Sequence, residues 1–123
     1  MAYDILGFCK SIKSTNDLFT VRQQYYFVKI DSNGQIVVCA AGNYSVGVVQ
    51  DTPKAGDPGL VCGPGALTKV MCGGSFSPGQ YVMSNSTGQA VAASSSSHIL
   101  GIALTAGVLN YIAEIIFQPI GTI

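Results

Sequence analysis

His98 is the only histidine of the 123-residue chain, and it follows four serines, Ser94 to Ser97. A serine nucleophile with an imidazole base is the chemistry such a juxtaposition would offer. The surrounding sequence does not complete it. There is no Gly-x-Ser-x-Gly elbow, and no nearby acid orients the imidazole. A solvated loop histidine is the favoured reading. The carboxylates Asp4, Asp17, Asp31, Asp51, Asp57 and Glu114 are dispersed along the chain. Asp51 and Asp57 share one loop, but a hard cation wants more oxygen donors at short, regular spacing than that loop has. Cys9, Cys39, Cys62 and Cys72 are separated by 30, 23 and 10 residues, with no Cys-x-x-Cys pair. That spacing suits neither zinc nor a redox motif, and free buried thiols are expected. No catalytic residue, cofactor or metal ligand is assigned.

The glycines, 15 in number, do not build a phosphate loop. Gly56-Asp57-Pro58-Gly59 and Gly63-Pro64-Gly65 lack a following lysine and helix, and Pro64 removes an amide donor. Gly47 and Gly101 are different, because each stands between aliphatic residues of a strand. Glycine there marks a bulge or the close approach of another backbone, whether strand, arm or subunit. Both are taken as candidate interface positions.

Composition points the same way. Apolar residues make up 48% of the chain and charged residues 10%, with zero net charge, against about 25% charged in ordinary soluble domains. Such a surface is poorly protected against association, so burial by further copies or by a partner is expected. Lys10, Lys13, Arg22, Lys29, Lys54 and Lys69 are scattered, which argues against nucleic acid as the ligand. The longest apolar stretch, Tyr111 to Phe117, is far too short to span a bilayer and contains Glu114, so no membrane association is expected. Met1-Ala2-Tyr3-Asp4 does not read as a secretory signal, and synthesis in a cytosol is expected.

The elements that position these residues read as strands. Residues 1–20 mix Tyr3, Ile5, Leu6, Phe8 and Ile12 with polar residues in no sustained period, and are expected to form an N-terminal arm contacting a neighbour. Asp17 could cap a short helix, but Phe19, Thr20 and Val21 favour a strand after the arm. Residues 21–123 are expected to form one β domain. Residues 27–50 and 81–104 align without a gap and share Val28/Val82, Ser32/Ser86, Gly34/Gly88, Gln35/Gln89, Val37/Val91 and Gly47/Gly101. A duplicated three-strand unit is the reading. Asn33-Gly34 predicts a type I′ hairpin turn. Leu60 to Cys62 and Leu67 to Cys72 flank Gly63 to Ala66 as a possible second hairpin. The fold class is all-β: a compact β-sandwich or small β-barrel of about eight short strands.

Val70-Met71-Cys72-Gly73-Gly74-Ser75-Phe76-Ser77-Pro78-Gly79-Gln80-Tyr81-Val82, the Thr87-Gly88-Gln89 turn and Leu100-Gly101-Ile102-Ala103-Leu104 together resemble the head decoration, or capsid cement, proteins of tailed bacteriophages. Val46-Gly47-Val48-Val49 with its Pro/Ala/Gly loop fits the same pattern. The resemblance covers about residues 33 to 118. It implies a non-enzymatic virion protein on the outer capsid surface, binding the major capsid protein and cementing neighbouring capsomers of the expanded head, commonly as a homotrimer. A tail- or spike-associated binding module is the alternative, and an oligomeric hydrolase using His98 the enzyme competitor.

Overall fold

The computed structural model describes residues 9–20, 22–95 and 97–122. Ten strands run through them: β1 Cys9–Lys13, β2 Phe27–Ile30, β3 Ile36–Val38, β4 Gly47–Val49, β5 Pro58–Cys62, β6 Leu67–Met71, β7 Tyr81–Ser84, β8 Ala90–Ala92, β9 His98–Ala103 and β10 Ile112–Thr122. They form two antiparallel five-stranded sheets, ordered β1-β5-β4-β2-β3 and β6-β10-β9-β7-β8. The all-β expectation holds, with ten strands rather than about eight.

The β2–β3 turn is not type I′. Only Gly34 in it has a positive φ, +76°, and the Gly34 N–H donates to the Asp31 carbonyl. This is a three-residue loop, a type I turn followed by a left-handed glycine. Asp31 sets it: its Oδ1 accepts from the Asn33 and Gln35 N–H groups at 2.9 and 3.0 Å. Its Oδ2 accepts from the Thr15 hydroxyl at 2.6 Å, and that bond does most to hold the carboxyl below its ordinary pKa. Asn85 does the same for the β7–β8 turn, accepting from Thr87 and Gln89 N–H groups, with Gly88 at φ +82°.

Every ladder of the first sheet recurs in the second. Val28↔Val38, Val28↔Gly47 and Val48↔Cys62 correspond to Val82↔Ala92, Val82↔Gly101 and Ile102↔Ile116, each position 54 residues on. For the leading strands the separation is 58: Cys9↔Cys62 corresponds to Leu67↔Ile116. The isolated parallel bridges Ser14↔Ile36 and Cys72↔Ala90 follow the same rule. β5 and β6 are not a hairpin. They lie in different sheets, and Gly63 to Ala66 is the link between them.

Of the residues expected as an arm, 1–8 lie outside the described residues. Cys9–Lys13 is an edge strand on β5, Ser14 is buried, and Leu18 is fully buried. Phe19 and Thr20 form a turn rather than a strand, because Asp17 Oδ1 accepts both of their N–H groups and its Oδ2 accepts the Thr20 hydroxyl. That local satisfaction outcompetes strand propensity.

Each sheet has a plug face, covered by one side chain from its own loops. In the first sheet, Val28, Ile36, Val49 and Val61 pack with Leu18. In the second, Val82, Ala90, Ala103, Ile115 and Phe117 pack with Phe76. The plugs occupy matching places: Leu18 donates its N–H to the Pro53 carbonyl, and Phe76 to that of Gly107. The second core also takes in Phe27, Val48 and Cys39, which belong to the opposite, far face of the first sheet. Phe27 meets Phe117 with ring centroids 6.1 Å apart. Volumes compensate: where the first core has Ile36 and Val49, the second has Ala90 and Ala103, leaving room for the aromatic rings at native density.

Cys9 and Cys62 are joined by a disulfide, while Cys39 and Cys72 are free and buried. The expectation of four free thiols fails for the first pair because the β1–β5 register sets them directly opposite one another across 53 residues of sequence. Loop closure of that length stabilises by about 4 kcal/mol in the chain-entropy account. Replacing both with serine is expected to lower unfolding free energy by about 2–4 kcal/mol in urea melts. Thiol titration of the native protein should find no fast-reacting group, and two should appear on unfolding.

A Cβ on Gly47 would meet the Cys62 carbonyl oxygen, and one on Gly101 the Ile116 carbonyl oxygen. The backbone that passes close is therefore the next strand of the same sheet, β5 or β10. Overpacking against backbone cannot relax through a rotamer. Gly101→Ala is expected to cost about 1–3 kcal/mol, measured by the same melts.

Candidate functional site

His98 is exposed at the start of β9, its ring edge-on to Tyr44 with centroids 6.4 Å apart. Tyr44 precedes His98 by 54 residues and is its counterpart in the aligned repeats, which marks the position as structural. Ser97 Oγ lies 3.4 Å from Ser94 Oγ, and Ser94 Oγ lies 3.6 Å from Met83 Sδ. None of these contacts activates a hydroxyl. Ser96 lies outside the described residues. Asp51 Oδ1 accepts the Leu60 N–H at 3.1 Å, closing its loop as an ordinary turn acid. Among the described residues, no three of His, Cys, Asp and Glu converge as a metal site.

The free thiols are not poised for chemistry either. Cys39 donates to the Tyr44 carbonyl at 3.3 Å. Burial pushes its pKa up to about 11, and raises that of Cys72 as well. Both are protonated near neutrality and shielded from reagents.

Of the interface residues expected from sequence, Tyr3, Ile5, Leu6 and Phe8 lie outside the described residues. Ile12 is half-buried in β1, packed on the first core. Gly47 and Gly101 are buried within their sheets, facing their own neighbouring strands, so neither is available to a second chain.

An apolar surface lies elsewhere, on the far face of the second sheet. Leu67, Ile116, Ile102 and Tyr81 are register partners in a row across β6, β10, β9 and β7. Leu67 is 71% exposed and Tyr81 46%, with Ile102 and Ile116 half-buried. Ile112 extends the face, and the adjacent β9–β10 loop exposes Leu104, Val108, Leu109 and Tyr111. Lys69 and Glu114 sit opposite one another beside the row. Next to them a cleft of about 390 Å³ is lined by Tyr25, Gln50, Leu67, Lys69, Leu104 and Glu114.

Sequence reasoning singled out the N-terminal segment with Gly47 and Gly101 and did not single out this apolar face. Its signal was the run Ile112-Ala113-Glu114-Ile115-Ile116-Phe117, apolar at both parities of a strand whose single core uses only Ala113, Ile115 and Phe117. A strand apolar on both sides belongs to a sheet covered on both faces.

No protein-family model matches the sequence, and a search of curated protein sequences finds no match. Among solved structures, the chain is similar to the N base of head fiber gp8.5 of bacteriophage phi29, with a TM-score of 0.74 over 92% of this chain and 95% of that one, at 15% sequence identity. At that identity, the likeness establishes a shared fold.

Proposed function

We propose that this chain is a non-enzymatic structural protein of a bacteriophage virion, seated on the outer surface of the head. The observation that carries this reading is the fold likeness to a head fiber base, which spans nearly the whole of both chains. The charge-poor composition and the exposed apolar row are what a protein held by other proteins would have. In this role it binds the major capsid protein as a homotrimer and bridges neighbouring capsomers. Modest contacts from each subunit then add through the high effective concentration created when the first one docks. A second reading, a base that anchors a head appendage without cementing, is favoured by the named role of the similar protein as a fiber base.

Tyr3, Ile5, Leu6 and Phe8, which precede β1, are assigned to contact with the shell or a neighbouring subunit, where extended chain adds to a sheet edge. Their removal leaves β1 and its disulfide in place.

The test uses purified protein, expanded heads lacking it, and isolated tails, separated on density gradients. Saturable retention on heads is expected, together with loss of DNA at a higher temperature than bare heads show. Retention without a change in DNA loss selects the appendage base over the cement. Binding to tails alone moves the protein to a tail or spike, and binding to neither removes the virion reading. Deletion of residues 2–8 should reduce head occupancy while leaving the melting curve unchanged. Unchanged occupancy would show that those residues make no docking contact.

A further inference from the structure

The two sheets are built alike but are not covered alike. In the first, the far-face row is Cys9, Cys62, Val48 and Phe27, and its inner members Val48 and Phe27 are wholly buried against the second sheet's plug face. In the second, the corresponding row is Leu67, Ile116, Ile102 and Tyr81, and no described residue seals it. The units are therefore stacked head to tail, far face onto plug face. Such a stack has two unlike ends.

The other end carries the matching deficit. On the first sheet's plug face Ile12, Ile30 and Val46 are only half-buried, whereas their counterparts Val70, Ser84 and Leu100 are fully buried. What seals the second unit's plug face is the far face of the first unit, Phe27 and Val48 included. Among the described residues, nothing equivalent sits on the first.

We propose that the far face of the second sheet, centred on Leu67, Ile102, Ile116 and Tyr81, docks on the first sheet's plug face of a second copy of this chain. The contact between chains thus repeats the one already made within the chain. It is heterologous, with each copy using two different surfaces, so it propagates into a ring where its rotation closes and into an open filament where it does not. Tyr81 takes the place of Phe27 and Ile102 that of Val48. Lys69 and Glu114 are opposite one another on this face, so it brings no net charge to the contact, and Lys10, beside Val61, is the one charge that the strand registers place on the receiving face. The inference does not rest on head binding. It names the surfaces through which a homotrimer, or any other ring, would close.

Sedimentation velocity over a concentration series tests it, with far-ultraviolet melts to show that each variant is folded. The wild type is expected to sediment as a multiple of its 12.7 kDa chain. Leu67→Lys and Tyr81→Lys, both at exposed positions, should each shift it to a single chain without lowering its melting temperature. Because the plug face of these variants is intact, adding either to wild type should cap assemblies and reduce their mean mass. A monomeric wild type overturns the proposal. So does an oligomer that both variants preserve, or one that they fail to enter. If the wild type is monomeric and Leu67→Lys abolishes retention on heads, the face belongs to the shell protein instead, and the head-binding reading survives alone.

Discussion

The structure depends on one buried contact, the packing of Phe27, Val48 and Cys39 into a core whose other buried residues all come from the second half of the chain. Five short strands with a single plug, over about fifty residues, make only a marginal core by themselves. Phe27 against Phe117 turns two marginal units into one domain. The consequences reach down to residue size. Ala90 and Ala103 are small where Ile36 and Val49 are large, because aromatic rings from both units converge there. A two-fold pairing of the units would have spent both far faces on one seam. Head-to-tail stacking leaves one far face over.

What was legible in the sequence was local. Hairpin turns announce themselves because Asp31 and Asn85 bond to amides two and four residues on, and each left-handed position needs a glycine. The spacing of 54 survived because turn chemistry and in-strand glycines tolerate little change. β1 was not legible. Cys9-Lys10-Ser11-Ile12-Lys13 has one large aliphatic residue, and its pairing is decided by β5, about fifty residues later. The disulfide was hidden for the same reason, since spacing in sequence says nothing about register. The β5–β6 hairpin was a false reading of a true turn: Gly63 to Ala66 is closed by the Ala66 N–H on the Gly63 carbonyl, but it passes the chain from one sheet to the other.

The exposed apolar face was the least legible part, and the reason is physical. Exposed aliphatic residues at one parity of a strand look the same as core residues until the core is known. Gly47 and Gly101 drew attention correctly as points of close approach, but the approaching backbone was internal. Leu67 and Tyr81 carried no comparable mark. Only comparison of the two units, one covered and one bare, separates them from the core.

The cross-link between Cys9 and Cys62 has a mechanical meaning beyond its contribution to folding. These two residues bound the first unit almost end to end: Cys9 opens β1 and Cys62 closes β5. Tension drawn along the chain from before Cys9 to beyond Cys62 crosses the sulfur bridge and goes straight to the short link into β6. Residues 10–61 carry none of it. Under load, the first sheet is a closed loop hung beside the line of force, and only the second unit lies in series.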